Sequence, residues 1–162
     1  MKQVDTVIGC DGVVIIPTYN ERENVENIIR AVFALEKIFH ILIIDDGSPD
    51  GTAEIVKRLK DEFPERLHLL ERKGKQGLGT AYITGFKWAV LRGYDYIFEM
   101  DADFSHNPND LLKLWSACAV KGADMAIGSR YITGVNVVNW PMGRVIMSYY
   151  ASKYVRLITG MK

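Results

Sequence analysis

The sequence has little of three features that would assign it to a familiar class. Its 162 residues include two cysteines, Cys10 and Cys118, which are too few for a disulfide-stabilised secreted framework. Lys and Arg number 20 and so do Asp and Glu, and because non-specific nucleic-acid binding requires a basic surface, we expect no nucleic-acid partner. No apolar run reaches the roughly 18 residues of a membrane span, and no signal-peptide pattern opens the chain. We therefore expect a cytoplasmic protein.

The composition favours one folded domain. Hydrophobic residues make up 48% of the chain and charged residues 25%, a balance that excludes an intrinsically disordered protein. A chain of 162 residues is long enough for one hydrophobic core and too short for two domains of the usual size. We expect a single domain over residues 1–162. An apolar segment with helical periodicity, residues 145–158, continues almost to Lys162, the last residue of the sequence. We therefore also expect this domain to be truncated at its C-terminus.

Short apolar runs alternate with segments of helical periodicity. The runs predict five buried strands, over residues 13–16, 41–44, 67–70, 96–100 and 125–127. Between the first two, Val25, Ile28 and Ile29 are spaced as on one face of a helix. This alternation predicts an α/β fold with a doubly wound, mostly parallel sheet and helices on both faces.

Polar residues follow each predicted strand directly. They are Pro17–Glu21, Asp45–Asp46, Arg72–Lys73, Asp101–Asp103 and Arg130. In an open parallel sheet, ligands bind beyond the carboxyl ends of the strands, where the strand order reverses. The sequence therefore predicts that these distant segments converge on one crevice.

The aspartates of Asp101-Ala102-Asp103 are candidate metal ligands. Two carboxylates separated by one residue at a strand end repel each other unless a cation compensates them. Hard divalent cations such as Mg²⁺ or Mn²⁺ prefer oxygen ligands of this kind. The alternative is two solvated loop aspartates, and the triplet alone leaves both interpretations open.

Two other residues near the predicted crevice could contact a nucleotide. Asp46 could accept hydrogen bonds from a base or a ribose, and Tyr19 could stack on a base. Taken alone, Asp46 is better explained by a turn followed by a helix cap, and Tyr19 is explained at least as well by a surface tyrosine at a helix start. The glycines Gly74, Gly77 and Gly79 have neither the spacing nor the position of a dinucleotide fingerprint or a P-loop. This argues against a dehydrogenase and against an ATPase.

Five motifs, taken in order, resemble those of glycosyltransferase family 2. They are PTYNEREN, DDGSPDGT, GLGTAY, MDADFSHNP and GSRY, at residues 17–24, 45–52, 77–82, 100–108 and 128–131. The closer resemblance within that family is to the dolichol-phosphate (polyprenyl-phosphate) mannosyltransferases. It runs through nearly the whole chain and implies the Rossmann-like GT-A fold.

The resemblance also implies roles for individual residues. The nucleotide sugar would be held by Pro17, Tyr19, Glu21, Ile44, Asp46, Asp101, Ala102, Asp103 and Arg130. Asp101 and Asp103 would bind the metal ion and would form the catalytic group together with Arg130. The acceptor phosphate would be held by Arg130, Arg144 and Ser148. Ser105 stands where some family members carry a longer side chain that reaches the metal, which leaves a third protein ligand open.

The implied reaction is inverting transfer of mannose from GDP-mannose to a polyprenyl (dolichyl) phosphate, with Mg²⁺ or Mn²⁺ as cofactor. Three alternatives stay open: a UDP-glucose donor, a sugar-hydroxyl acceptor, and an inactive fragment that only binds a sugar nucleotide. Because similar proteins continue with further basic residues, we expect these 162 residues to bind nucleotide but to transfer little sugar. A lipid acceptor implies peripheral contact at the cytoplasmic membrane face. Residues 145–158 could lie at that interface or could form a core helix.

Overall fold

The computed structural model of the chain describes residues 10–129 and 141–160. They fall into two compact units, of which the first ends at Ala126 and the second begins at Ile127. The first unit contains β1 (Gly12–Thr18), α1 (Val25–Phe33), β2 (His40–Asp45), α2 (Thr52–Glu62), β3 (Leu67–Glu71), α3 (Leu78–Leu91), β4 (Tyr96–Glu99) and α4 (Asp110–Ala119). The second contains α5 (Met142–Thr159). The expectation of a single domain over 1–162 stays a prediction.

The four strands of the first unit form one sheet in the order β3-β2-β1-β4. Every neighbouring pair is parallel. The chain moves outward from β1 through β2 to β3 and then returns to the other side of β1 as β4. The strand order therefore reverses between β1 and β4, which is where a ligand crevice is expected in such a sheet.

Both faces of the sheet are covered by helices, as predicted. Val14 and Ile16 of β1 pack into a core formed with α1, α2 and α4, whereas Val13 and Ile15 pack towards α3 on the opposite face. All four side chains are fully buried. Successive strand residues point to opposite faces of the sheet, and both faces are covered here. This is why the sequence of β1 is a continuous apolar run instead of an alternating one.

Helix α3 approaches the sheet closely at Gly85. A Cβ atom at this position would lie 2.8 Å from side-chain atoms of Ile15 and 3.0 Å from Cδ1 of Ile44. These distances are too short for a real side chain, so only glycine allows the helix to sit at this depth. The close approach fixes where the first turn of α3 emerges at the sheet edge.

The prediction of a fifth strand over residues 125–127 is wrong. The structure has no strand there, and Met125 is 71% exposed. A strand exists only where a neighbouring strand exchanges backbone hydrogen bonds with it, and within the described residues none does so at 125–127. The apolar segment 145–158 is helical and forms most of α5. Across residues 10–129 and 141–160, no helix combines the length and apolarity that crossing a bilayer requires.

Candidate active site

An open cleft of about 220 Å³ lies beyond the carboxyl ends of β1, β2 and β4. It is lined by Pro17, Thr18, Tyr19, Glu21, Asp46, Lys75, Gly77, Leu78, Ala81, Asp101, Ala102 and Asp103. Seven of the residues predicted for the nucleotide-sugar site are among them, brought together from the ends of three strands. The segments after β1, β2 and β4 thus converge as predicted, and the loop after β3 contributes Lys75 rather than Arg72 or Lys73. The role of each residue stays a prediction.

The four other predicted site residues are Ile44, Arg130, Arg144 and Ser148. The side chain of Ile44 is fully buried in the core beneath α3, so it supports the cleft from below. Arg130 lies outside the described residues. Arg144 and Ser148 lie one helical turn apart on α5, which belongs to the second unit. That these two residues contact an acceptor phosphate stays a prediction.

The two neighbouring aspartates at the end of β2 have different roles. Asp45 is buried and organises the turn, since Thr18 and Ser48 donate side-chain hydrogen bonds to its Oδ1 at 3.0 and 2.6 Å. The backbone N–H of Ser48 donates to Oδ2 at 2.9 Å. Asp45 therefore organises the turn, whereas Asp46 is the member of the pair that faces the cleft.

Asp46 forms a buried ion pair that the sequence pattern does not reveal. The side chains of Asp46 and Arg72 are 10% and 8% exposed, and Nε of Arg72 donates to Oδ1 at 2.6 Å. The backbone N–H of Gln76 donates to Oδ2 at 3.2 Å, and Nη1 of Arg72 donates to Thr80 Oγ1 at 2.8 Å. A carboxylate has about four acceptor positions, so Oδ2 can still accept a hydrogen bond from a ligand.

Asp101 and Asp103 are held by their neighbours while remaining partly exposed. The hydroxyl of Tyr82 donates to Asp101 Oδ1 at 3.4 Å, and His106 Nε2 lies 4.0 Å from Oδ2. The N–H of Ser105 donates to Asp103 Oδ1 at 2.9 Å, and this bond holds the pKa of Asp103 below its usual value. Burial, together with the charge of Asp101, raises the pKa of Tyr82, so its phenol remains protonated and acts as a donor.

The pair of carboxylates fits a divalent cation of the magnesium type. Within the described residues, no cluster of three or more acidic, histidine or cysteine side chains could enclose a metal ion. Mg²⁺ needs no such cluster, because it is commonly bound by one or two carboxylates together with water and the phosphates of a substrate. Asp101 and Asp103, on the cleft wall, would be the protein ligands of such an ion.

A family model described as glycosyl transferase family 2 matches residues 13–160. The chain belongs to glycosyltransferase family 2. The matched range contains every residue that lines the cleft and both predicted acceptor residues of α5.

Three curated relatives are similar over most of this chain. A polyprenol monophosphomannose synthase of Mycolicibacterium smegmatis is 49% identical over 91% of the chain and is covered over 56% of its own length. An undecaprenyl-phosphate mannosyltransferase of Micrococcus luteus is 44% identical over 91% of the chain, which spans 59% of that protein. For a dolichol-phosphate mannosyltransferase of Pyrococcus furiosus the identity is 42% over 83% of the chain, and the share of that protein is 37%. The chain thus spans about half the length of the first two relatives.

A solved structure supports the fold. The crystal structure of residues 1–349 of TarS from S. aureus superposes with a TM-score of 0.63, at 20% identity. The match covers 82% of this chain and 38% of TarS 1–349. The predicted α/β fold of the GT-A type is confirmed.

Proposed function

We propose that the protein transfers mannose from GDP-mannose to a polyprenyl phosphate. The observation that carries the proposal is the cleft at the reversal of strand order, with Asp101 and Asp103 on its wall. The names of the three relatives support it, because each joins a polyprenol-type lipid with a mannosyltransferase or a monophosphomannose synthase. The residues that line the cleft all fall in the part of the chain that the family model matches.

On the donor side, the cleft offers groups for the base and for the diphosphate of a nucleoside diphosphate sugar. Tyr19 is 38% exposed at the cleft and provides an aromatic face for the base. Asp46 Oδ2 can accept an N–H of that base, as its remaining acceptor position allows. A Mg²⁺ or Mn²⁺ ion held by Asp101 and Asp103 would bind the diphosphate and offset the charge that develops as it leaves.

The acceptor explains why this site needs no strong general base. A phosphate monoester has a second pKa of about 6 and is already largely dianionic at neutral pH. One of its oxygens attacks C1 of mannose while the bond from C1 to the diphosphate breaks, so the configuration at C1 inverts. The demand on the protein is to hold two anions close together, for which we propose Arg130, Arg144 and Ser148 on the acceptor side. We also propose that α5, with exposed Tyr150 and Leu157, contacts the membrane in which the lipid acceptor lies.

The donor is tested by a thermal-shift panel of GDP, UDP, GDP-mannose and UDP-glucose, each with Mn²⁺, with Mg²⁺ and with chelator. A ligand that binds the folded state raises the melting temperature by mass action. We expect the largest shifts with GDP and GDP-mannose in the presence of metal. A larger shift with UDP-glucose would favour the alternative donor, and no shift with any nucleotide would contradict the proposal.

The acceptor is tested by Arg144→Ala, made in the full-length protein. We expect GDP-mannose affinity to stay within about twofold, while transfer to polyprenyl phosphate falls at least about 100-fold. Ser148→Ala should lose less, because it removes a neutral donor. Unchanged transfer in the Arg144 variant would remove the acceptor assignment. A large loss of GDP-mannose binding would place Arg144 on the donor side instead.

A further inference from the structure

Lys75 occupies the aromatic face that a stacked base would need. Its ammonium nitrogen lies 4.8 Å from the centroid of the Tyr19 ring, and both side chains line the cleft. Tyr19 follows β1 and Lys75 follows β3, so this contact joins two loops that lie 56 positions apart in sequence (75 − 19). A cation over an exposed aromatic face is held only weakly.

The loop that carries Lys75 is fixed at both ends by one carboxylate. Arg72 binds Asp46 Oδ1 through its guanidinium, and the N–H of Gln76 donates to Asp46 Oδ2 at 3.2 Å. Between these anchors the backbone turns at Gly74, whose φ of +74° lies in the left-handed region that glycine adopts without strain. The buried ion pair therefore holds the base of the loop, while the long side chain of Lys75 remains exposed at its tip.

The charges on the cleft wall show why a lysine at this point matters. Among the described lining residues, the ionisable side chains besides Tyr19 are the carboxylates of Glu21, Asp46, Asp101 and Asp103 and the ammonium of Lys75. The charge of Asp46 is offset by Arg72. A nucleoside diphosphate adds further negative charge to this cleft. Within the described part of the wall, Lys75 is thus the cation available to a diphosphate.

We propose that Lys75 is a diphosphate-binding residue that rests on Tyr19 when the cleft is empty. When a base stacks on Tyr19, it displaces the ammonium, which then reaches the diphosphate on its flexible four-carbon stem. The exchange is favourable because a charge-assisted bond to phosphate is stronger than the exposed contact with the ring. This inference rests on the proposed function, since it assumes a nucleoside diphosphate as the ligand of the cleft.

The test compares a nucleoside with its diphosphate in matched variants. Binding of GDP is measured by calorimetry with Mn²⁺ present, and binding of guanosine by ligand-observed NMR, which detects weak complexes. For Lys75→Ala we expect about a tenfold loss of GDP affinity, with guanosine affinity unchanged or slightly increased. Lys75→Arg should restore GDP affinity to within about threefold, because it keeps a cation on a long stem.

Lys73→Ala is the control, because Lys73 is exposed on the same loop and does not line the cleft. It should leave GDP affinity within about twofold, and the loss in Lys75→Ala should shrink at high salt. Equal GDP affinities for the two alanine variants would overturn the inference, and so would equal losses of GDP and guanosine in Lys75→Ala. If the wild-type protein prefers UDP, the same comparison is made with UDP and uridine. If it binds no nucleoside diphosphate, the proposed function fails and the inference fails with it.

Discussion

The two ends of the parallel sheet use polar side chains in opposite ways. At the carboxyl end the side chains of Asp101 and His106 are 43% and 47% exposed, at or beside an open cleft. At the amino end, His40 is buried and its Nδ1 lies 2.7 Å from the hydroxyl of Tyr94. The ring of His68 packs there at 4.8 Å from that of Trp88.

The electrostatics of the two ends differ accordingly. Burial lowers the pKa of His68 to about 4, with the charge of His40 adding to the shift, so His68 is neutral and packs as an aromatic side chain. At the cleft, the Ser105 N–H lowers the pKa of Asp103 and so favours its charged form. The amino end thus holds packed rings, of which His68 is neutral, whereas the carboxyl end keeps charged groups exposed.

The largest effect on stability is expected from a change that disrupts the carboxyl end. Arg72→Ala would leave the charge of Asp46 buried without its partner, which typically costs about 3–5 kcal/mol of folding free energy. Denaturant unfolding at neutral pH measures this loss. The control is Arg58→Ala, which removes an ion pair to Glu26 from a side chain that is 67% exposed and should change stability little. Similar small losses in both variants would mean that the Arg72 pair does not support this end.

The four strands of the sheet, their parallel arrangement and most of the cleft were predicted correctly from the sequence, because each of these depends on local patterns. An apolar run of β-branched residues predicts a buried strand, and residues directly after parallel strands must meet at one edge. Asp101 and Asp103 were found in this way, as were Tyr19 and Asp46.

The contacts that the sequence did not predict all join distant segments. Arg72 was placed at the sheet edge, but its bond to Asp46 spans 26 positions and has no local signal. Lys75 was not singled out, because a lysine in a loop is usually solvated, and only the folded loop brings it over Tyr19. The prediction of a fifth strand was wrong for a related reason, since a strand forms only beside a partner strand and an apolar run alone does not supply one.

In the middle of the sheet, where Gly85 of α3 meets Ile15 and Ile44, stability should depend only on side-chain volume. Gly85→Ala would place a Cβ atom 2.8 Å from Ile15 and should cost about 1–3 kcal/mol through overpacking. Gly79→Ala, in the same helix, meets no atom within 4 Å and should leave stability unchanged or raise it by up to about 1 kcal/mol. Thermal unfolding measures the stability of both variants. A loss in Gly79→Ala as large as in Gly85→Ala would contradict the packing account.

The amino end should lose stability in acid. The pKa of His68 is about 4 when folded and 6.5 in its unperturbed state, so between these values the unfolded chain binds more protons. Stability should therefore fall as the pH drops from above 6.5 towards 4, by at most about 2 kcal/mol between pH 8 and pH 5. His68→Gln should weaken this dependence in denaturant unfolding. Identical pH profiles for wild type and His68→Gln would refute the assignment.

The smallest effect is expected at the wall of the cleft. Tyr82→Phe removes the hydrogen bond of 3.4 Å to Asp101 Oδ1 and keeps the ring. GDP affinity in the presence of Mn²⁺ should fall about fivefold, roughly 1 kcal/mol, because Asp101, the proposed metal ligand, is then oriented less firmly. With chelator the affinities of variant and wild type should agree. An equal loss with and without metal would show that Tyr82 acts through packing.

The most direct test of the account is the metal dependence of GDP binding at the carboxyl end. Calorimetry compares wild type, Asp103→Ala and the control Asp110→Ala, an aspartate that begins α4 and pairs with Lys113, each with Mn²⁺ and with chelator. We expect metal to strengthen GDP binding at least about tenfold in wild type and in Asp110→Ala, and to have little effect in Asp103→Ala. The same metal dependence in all three proteins would contradict the assignment of Asp101 and Asp103 as the metal site of this cleft.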